Sequence, residues 1–197
     1  MMLNYASYFK TEEQLLTPVV DFLLSQKMND GGFNCHSNRK GASHSSFHTT
    51  LSVLEGIMEY VKNGYKYRIN ELLEVKSTAQ NLLFAHNLFR SDKSNKIIKS
   101  SFLKFPFPAR WYYDILKAMD YFQMSDTQHN SGMDEALDFI VSKRNSEGLW
   151  KLSSPYPGRV HFNMEQAGKS SRWNTLRALR VLHFYGKLKN NFSTSLL

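Results

Sequence analysis

Arginine stands directly before tryptophan twice in this chain, at Arg110-Trp111 and Arg172-Trp173. A guanidinium group can grip phosphate or carboxylate oxygens through two parallel hydrogen bonds. Free N–H groups at a helix start add to that affinity for anions. The neighbouring indoles, with Tyr112 and Tyr113, offer π faces to a hydrophobic chain or a cation. Arg159 and Lys169 add further positive charge, and Phe47 and His48 occupy a comparable helix start upstream. The candidate binding set is therefore Arg110, Trp111, Arg172, Trp173, Asn174, Phe47, His48, Arg159 and Lys169. A structural reading competes with it: each arginine, Arg177 included, pairs with a carboxylate such as Asp114 or Glu165 and stacks on its tryptophan to lock a turn, since buried arginine is normally paired.

Proton transfer has four candidates, Tyr113, Asp114, Glu165 and His161. An aspartate that opens a helix also complements the helix dipole. Cys35, His44 and His48 supply soft and imidazole donors of the kind zinc takes, and His44 and His48 stand one helical turn apart. Without a recognised ligand spacing such a group is weak evidence for metal. The competing reading makes Cys35 a small buried residue and the histidines loop hydrogen-bonders. No cofactor is favoured, with zinc or magnesium as the alternatives.

Apolar residues at helical spacing predict six helices to carry these groups, over residues 11–27, 43–62, 70–86, 110–122, 131–143 and 170–184. In the first, Leu15, Leu16, Val19, Val20, Leu23 and Leu24 form a stripe, and Pro18 either kinks it or marks a start capped by Thr17. Asp30-Gly31-Gly32-Phe33 stops that helix, and Glu147-Gly148-Leu149-Trp150 stops the fifth in the same way. Residues 91–104 read as a long loop with four lysines and four serines, and Phe105-Pro106-Phe107-Pro108 is excluded from helix interior. Three helix starts resemble one another. With Leu51, Ile115 and Leu176 as the common position, they recur roughly every 60 residues. Nothing alternates with period two for long, so strands should be minimal. What the last copy does not share is Asn174, the Gly168-Lys169 turn and Glu165, and any function specific to that element should lie there.

The chain has 197 residues, enough for a single domain, with a core over 11–186 and a frayed tail over 187–197. Aromatics are plentiful, with 14 Phe, 10 Tyr and 3 Trp, so planar side chains must line a core or a pocket. A net charge of +8 suits an anionic partner. No aromatic-basic interleave points to nucleic acid, which is not expected as a partner. The single cysteine, the absence of a leader-like N-terminus and the lack of a long apolar run predict a cytoplasmic chain without a transmembrane segment. In that setting the glycosylation triplet Asn191-Phe192-Ser193 carries no meaning.

The two Gly-aromatic turns resemble the signature of the prenyltransferase and squalene oxidase repeat. That repeat builds the α/α toroid of terpenoid cyclases and protein prenyltransferase β-subunits. Gly32-Phe33-Asn34-Cys35, His44-Ser45-Ser46-Phe47-His48-Thr49-Thr50, Pro108-Ala109-Arg110-Trp111-Tyr112-Tyr113-Asp114 and Ser171-Arg172-Trp173-Asn174-Thr175-Leu176-Arg177-Ala178-Leu179 resemble, more narrowly, squalene-cyclase-like bacterial proteins. The resemblance implies an all-α fold, an incomplete α/α toroid of about three helical hairpins in two concentric layers. It also implies a central cavity that binds or transforms a prenyl diphosphate or similar hydrophobic anion, an isoprenoid ligand held by the Arg-Trp pairs. The family's DxDD acid motif and zinc-ligand pattern are absent from this sequence. The alternative is a non-catalytic helical-repeat module for a peptide or protein, and an open toroid invites a protein partner or a second copy to complete it.

Overall fold

The computed structural model describes residues 1–36 and 41–188. The Asn191-Phe192-Ser193 triplet and most of the expected frayed tail, 187–197, lie outside the described residues. Within them the chain is mostly helical, with seven α-helices and one two-residue ladder, and it divides into two compact units. No helix among the described residues is long and apolar enough to cross a membrane.

The first unit comprises Met1–Ile98 together with Trp111–Tyr113. It holds α1 (Met2–Tyr8), α2 (Glu13–Ser25), α3 (Phe47–Lys62) and α4 (Ile69–Ala85). The apolar stripes fold them onto a shared core of Leu16, Val20, Phe33, Val53, Ile57, Tyr60, Leu72 and Val75. Leu15, expected on the buried stripe of α2, faces solvent, and neither Thr11 nor Thr17 caps that helix, because it begins at Glu13 and runs through Pro18. The helix α1 was not expected from the sequence, where the core was placed from residue 11 onward. It lies on α3, burying Leu3 and Ser7. Gly56 faces it, and a Cβ there would stand in ordinary contact, 3.4 Å from the Leu3 Cβ. Charge pairing ties α2 to α4: Arg68 reaches Asp21 at 2.7 Å and Glu71 at 2.6 Å.

The second unit comprises Lys99–Arg110 and Asp114–Leu197. It holds α5 (Ile115–Met124), α6 (Asp134–Ser142) and α7 (Arg172–Phe184), with 3-10 turns at Ser100–Leu103 and Ser131–Met133. Strands β1 (Trp150–Lys151) and β2 (Ser170–Ser171) pair antiparallel, Trp150 opposite Ser171. The stretch read as a solvated loop over 91–104 thus contains a turn that buries Phe102.

The fourth predicted helix starts five residues late. Arg110 adopts a left-handed backbone with φ 52°, which lies outside the helical region. Asp114 is the N-cap instead, its Oδ1 accepting the Lys117 N–H at 2.8 Å. Measured from the caps Ser46, Asp114 and Ser171, Leu51 and Leu176 both stand in the second turn, whereas Ile115 is the first helical residue. The threefold register set on these three positions is therefore displaced by one turn in its middle copy. Leu51 is buried and Leu176 is 54% exposed, so even the two aligned copies bury different faces.

Candidate functional site

One local device recurs in both units and sets where the aromatic side chains go. Gly31, at φ 92°, and Gly148, at φ 82°, turn the chain through a conformation that side chains rarely adopt. The aromatic that follows is buried in each case, Phe33 in the first unit and Trp150 in the second. Its N–H then donates to a threonine in the next helix: Phe33 to Thr50 Oγ1 at 3.0 Å, Trp150 to Thr175 Oγ1 at 3.1 Å. Both threonines come four residues after a serine N-cap, Ser46 or Ser171. Acidic side chains brace the same joints. Asp30 accepts the Ser45 N–H at 2.7 Å, and Glu147 accepts the Ser170 hydroxyl at 3.4 Å. The latch holds the start of α3 and of α7 against the preceding turn.

In the first unit the latch presents Phe47 and His48. Phe47 is buried, edge-on to Tyr113 at 5.2 Å and to His86 at 5.4 Å. The His48 Nδ1 accepts the backbone N–H of Tyr113 at 2.8 Å, which leaves the ring proton on Nε2. Trp111 stacks on Tyr112 at 3.9 Å, and both rings stand edge-on to His48. Trp111 is 47% exposed, while Tyr113 is buried and donates its hydroxyl to the Leu88 carbonyl at 2.6 Å. Tyr113 is thus a structural tie with its phenol engaged, and Arg110, Trp111 and Tyr113 precede a helix rather than opening one.

In the second unit the site gathers around the start of α7. Trp173 lies flat against Phe107, ring centres 5.0 Å apart and planes 9° from parallel. Phe107 belongs to the Phe-Pro segment, which bends at a cis Phe107–Pro108 peptide bond. Asn174 pins that segment: its amide donates to the Phe105 carbonyl at 2.7 Å and to the Lys151 carbonyl at 3.3 Å. Asn174 is wholly buried, with Oδ1 unpaired. It supports the site from beneath, its amide buried where the sequence expects a ligand contact. Glu165 folds inward, its side chain 8% exposed. It accepts the Arg172 N–H at 2.8 Å and the Ser171 hydroxyl, and Arg172 Nε stands 3.8 Å from it. The protein's own carboxylate therefore fills the anion position at this helix start. The Arg172 side chain is 89% exposed. Arg110 lies against the backbone of Gly158, and its carbonyl accepts the Lys117 ammonium. Arg159, His161 and Lys169 are exposed on the loop that leads to α7.

Asp114 is fully buried, with Oδ2 unpaired, and burial raises its carboxyl to about 6 in spite of the nearby Arg177. Arg110 is not its partner. Arg177 instead joins a buried network missed by the sequence reading, in which Asp120 accepts from Arg177 at 3.2 Å and from Arg180 at 2.5 Å. The signal was present as acid and base on two apolar-striped helices, but only tertiary contact pairs them. Phe107 was also missed, its segment having been read for its prolines alone. Of the zinc candidates, Cys35 is exposed and its N–H leans on Thr49 Oγ1 at 3.4 Å, while His44 contributes its carbonyl to Asn34. Among the described residues no three metal-ligating side chains converge. A surface cleft of about 330 Å³ on the first unit, lined by Asp21, Lys27, Arg68, Glu71 and Glu74, has its central guanidinium already paired.

Comparison with protein-family models, with curated proteins and with solved structures returned no match.

Proposed function

We propose that the chain is a non-catalytic helical-repeat module of the open α/α-toroid type that binds a peptide or protein, and that it does not transform a prenyl diphosphate. The observation that carries this reading is the use made of three of the four acid–base candidates, all but His161, which is exposed on the loop before α7. Tyr113 spends its hydroxyl on a carbonyl, Asp114 is sealed away as a helix cap, and Glu165 clasps the start of α7. A general acid or base must reach the substrate proton directly or through one water, and these three groups are turned into the fold. The aromatic and cationic side chains that remain accessible, Trp111, Trp173 and Arg172, lie on surface, as a recognition module requires. The repeated Gly-aromatic turn and threonine latch support the toroid-type hairpin within each unit.

The test is incubation of the full chain with geranylgeranyl diphosphate and either Mg²⁺ or Zn²⁺, following diphosphate release. No release above the protein-free rate is expected. Turnover that Asp114→Asn abolishes would overturn the proposal.

A further inference from the structure

The exposed face around the start of α7 carries a more specific assignment. Three segments of the second unit converge there: the Phe-Pro segment through Phe107, the loop after Gly158, and the first turn of α7. The loop is fixed at both ends, by Gly158 against Arg110 and by Glu165 on Ser171 and Arg172. Between those ends it holds Val160, Phe162 and Met164 out to solvent, with Phe162 73% exposed, and Trp173, in the first turn of the helix that Glu165 clasps, is 40% exposed. Three large apolar side chains exposed within five residues of one tethered loop are more than scattered surface hydrophobics account for, and such patches mark interaction sites.

Charge decides the occupant. Arg159, Lys169 and Arg172 flank the apolar rim and are exposed, whereas Glu165, the one carboxylate of this loop, is turned inward and nearly buried. The face therefore presents three cations around apolar anchors, with Glu165 withdrawn and Glu147, at the Ser170 joint, as the exposed carboxylate against them. An acidic partner gains from this arrangement in encounter and in register. Inorganic phosphate or a diphosphate fits it poorly, because the N–H of Arg172 and that of Asn174 are already taken by Glu165 and Ser171.

The geometry points to this rim as the docking site for a protein segment that alternates aliphatic or aromatic anchors with aspartate or glutamate. This assignment rests on the reading of the chain as a binding module. It is tested by selecting a random-peptide display library on the full chain and on a Phe162→Ser, Arg159→Glu variant. Both substitutions lie at exposed positions of the loop, and circular dichroism checks that the variant keeps its helices.

The expected result is enrichment of peptides that combine apolar anchors with carboxylates. Their affinity should weaken about ten-fold or more in the variant, the loss that removing an anchoring aromatic typically brings. It should also fall with added salt. No enrichment, a basic or charge-free consensus, or one indifferent to the variant would overturn the assignment. So would mass measurements showing that the rim instead pairs with a second copy, or binding to phosphatidylserine vesicles without binding to the selected peptides. Turnover of geranylgeranyl diphosphate would instead remove the module reading itself, so the two failures are distinguishable.

Discussion

Asp114 performs two tasks that pull against each other. Its Oδ1 caps α5, and its Oδ2 sits buried without a hydrogen-bond partner. Burial holds the carboxyl at about 6, above the ordinary value of 3.8. In the folded chain the group therefore binds its proton more tightly than in the unfolded chain. Stability is highest below the ordinary value, falls as pH rises from 3.8 to about 6, and is level above that as far as this group is concerned. Asparagine keeps the capping oxygen and removes the ionisable group. Chemical denaturation of Asp114→Asn at several pH values should show it gaining on the wild type across that window, by on the order of 1–3 kcal/mol at neutral pH. Asp114→Ala should lose about 1 kcal/mol at low pH, where only the cap is missed. A wild-type difference that is flat with pH would show that the buried carboxyl does not titrate there.

At the scale of the element, the hairpin is held by a hydroxyl. Replacing Thr50 or Thr175 by valine preserves shape and leaves the N–H of Phe33 or Trp150 without its acceptor. A buried donor left unmade costs roughly 1–3 kcal/mol, and denaturant unfolding of Thr50→Val and Thr175→Val should each show a loss of that size. Equal losses would support the equivalence of the two joints; no loss in either would remove it.

Much at this scale was legible in the sequence. The Gly-aromatic turns, the latch-bearing helix starts and the apolar stripes of α2, α3 and α4 follow from spacing and turn chemistry. The start of α5 was not, because Arg-Trp-Tyr-Tyr has the apolar content of a first turn and nothing in it reveals the left-handed backbone of Arg110. The helix α1 escaped because its seven residues bury only Leu3 and Ser7, too few to show a period. The inward turn of Glu165 was invisible for another reason: a carboxylate six residues before a helix cap reads as well solvated until the loop between them is closed. The burial of Asn174 was invisible on the same ground, since a buried amide and an exposed one look identical in sequence.

For the whole molecule, the membership of the two units does not follow chain order. Trp111–Tyr113 belong with Met1–Ile98, although Lys99–Arg110 and everything from Asp114 onward belong to the other unit. Tyr113 meets His48, Phe47 and the Leu88 carbonyl in the first unit. A fragment ending at Ile98 loses all three contacts, one ending just after Tyr113 keeps them. The shorter fragment should be less stable by on the order of 3 kcal/mol, the scale of losing a buried aromatic and its hydrogen bonds. Thermal melts of the two fragments measure this; coincident melting curves would count against it.

This interleaving has a consequence for synthesis on the ribosome, where domains ordinarily close in the order they emerge. The first unit stays incomplete until Tyr113 has left the exit tunnel, by which time Phe105 and Phe107 have already been made. Phe105 meets Phe139 and Ser153 on the way, whereas the Phe107 ring waits for Trp173, much later in the chain. The Phe-Pro segment is thus the sticky part of the nascent polypeptide, and the place where a chaperone would have reason to grip it.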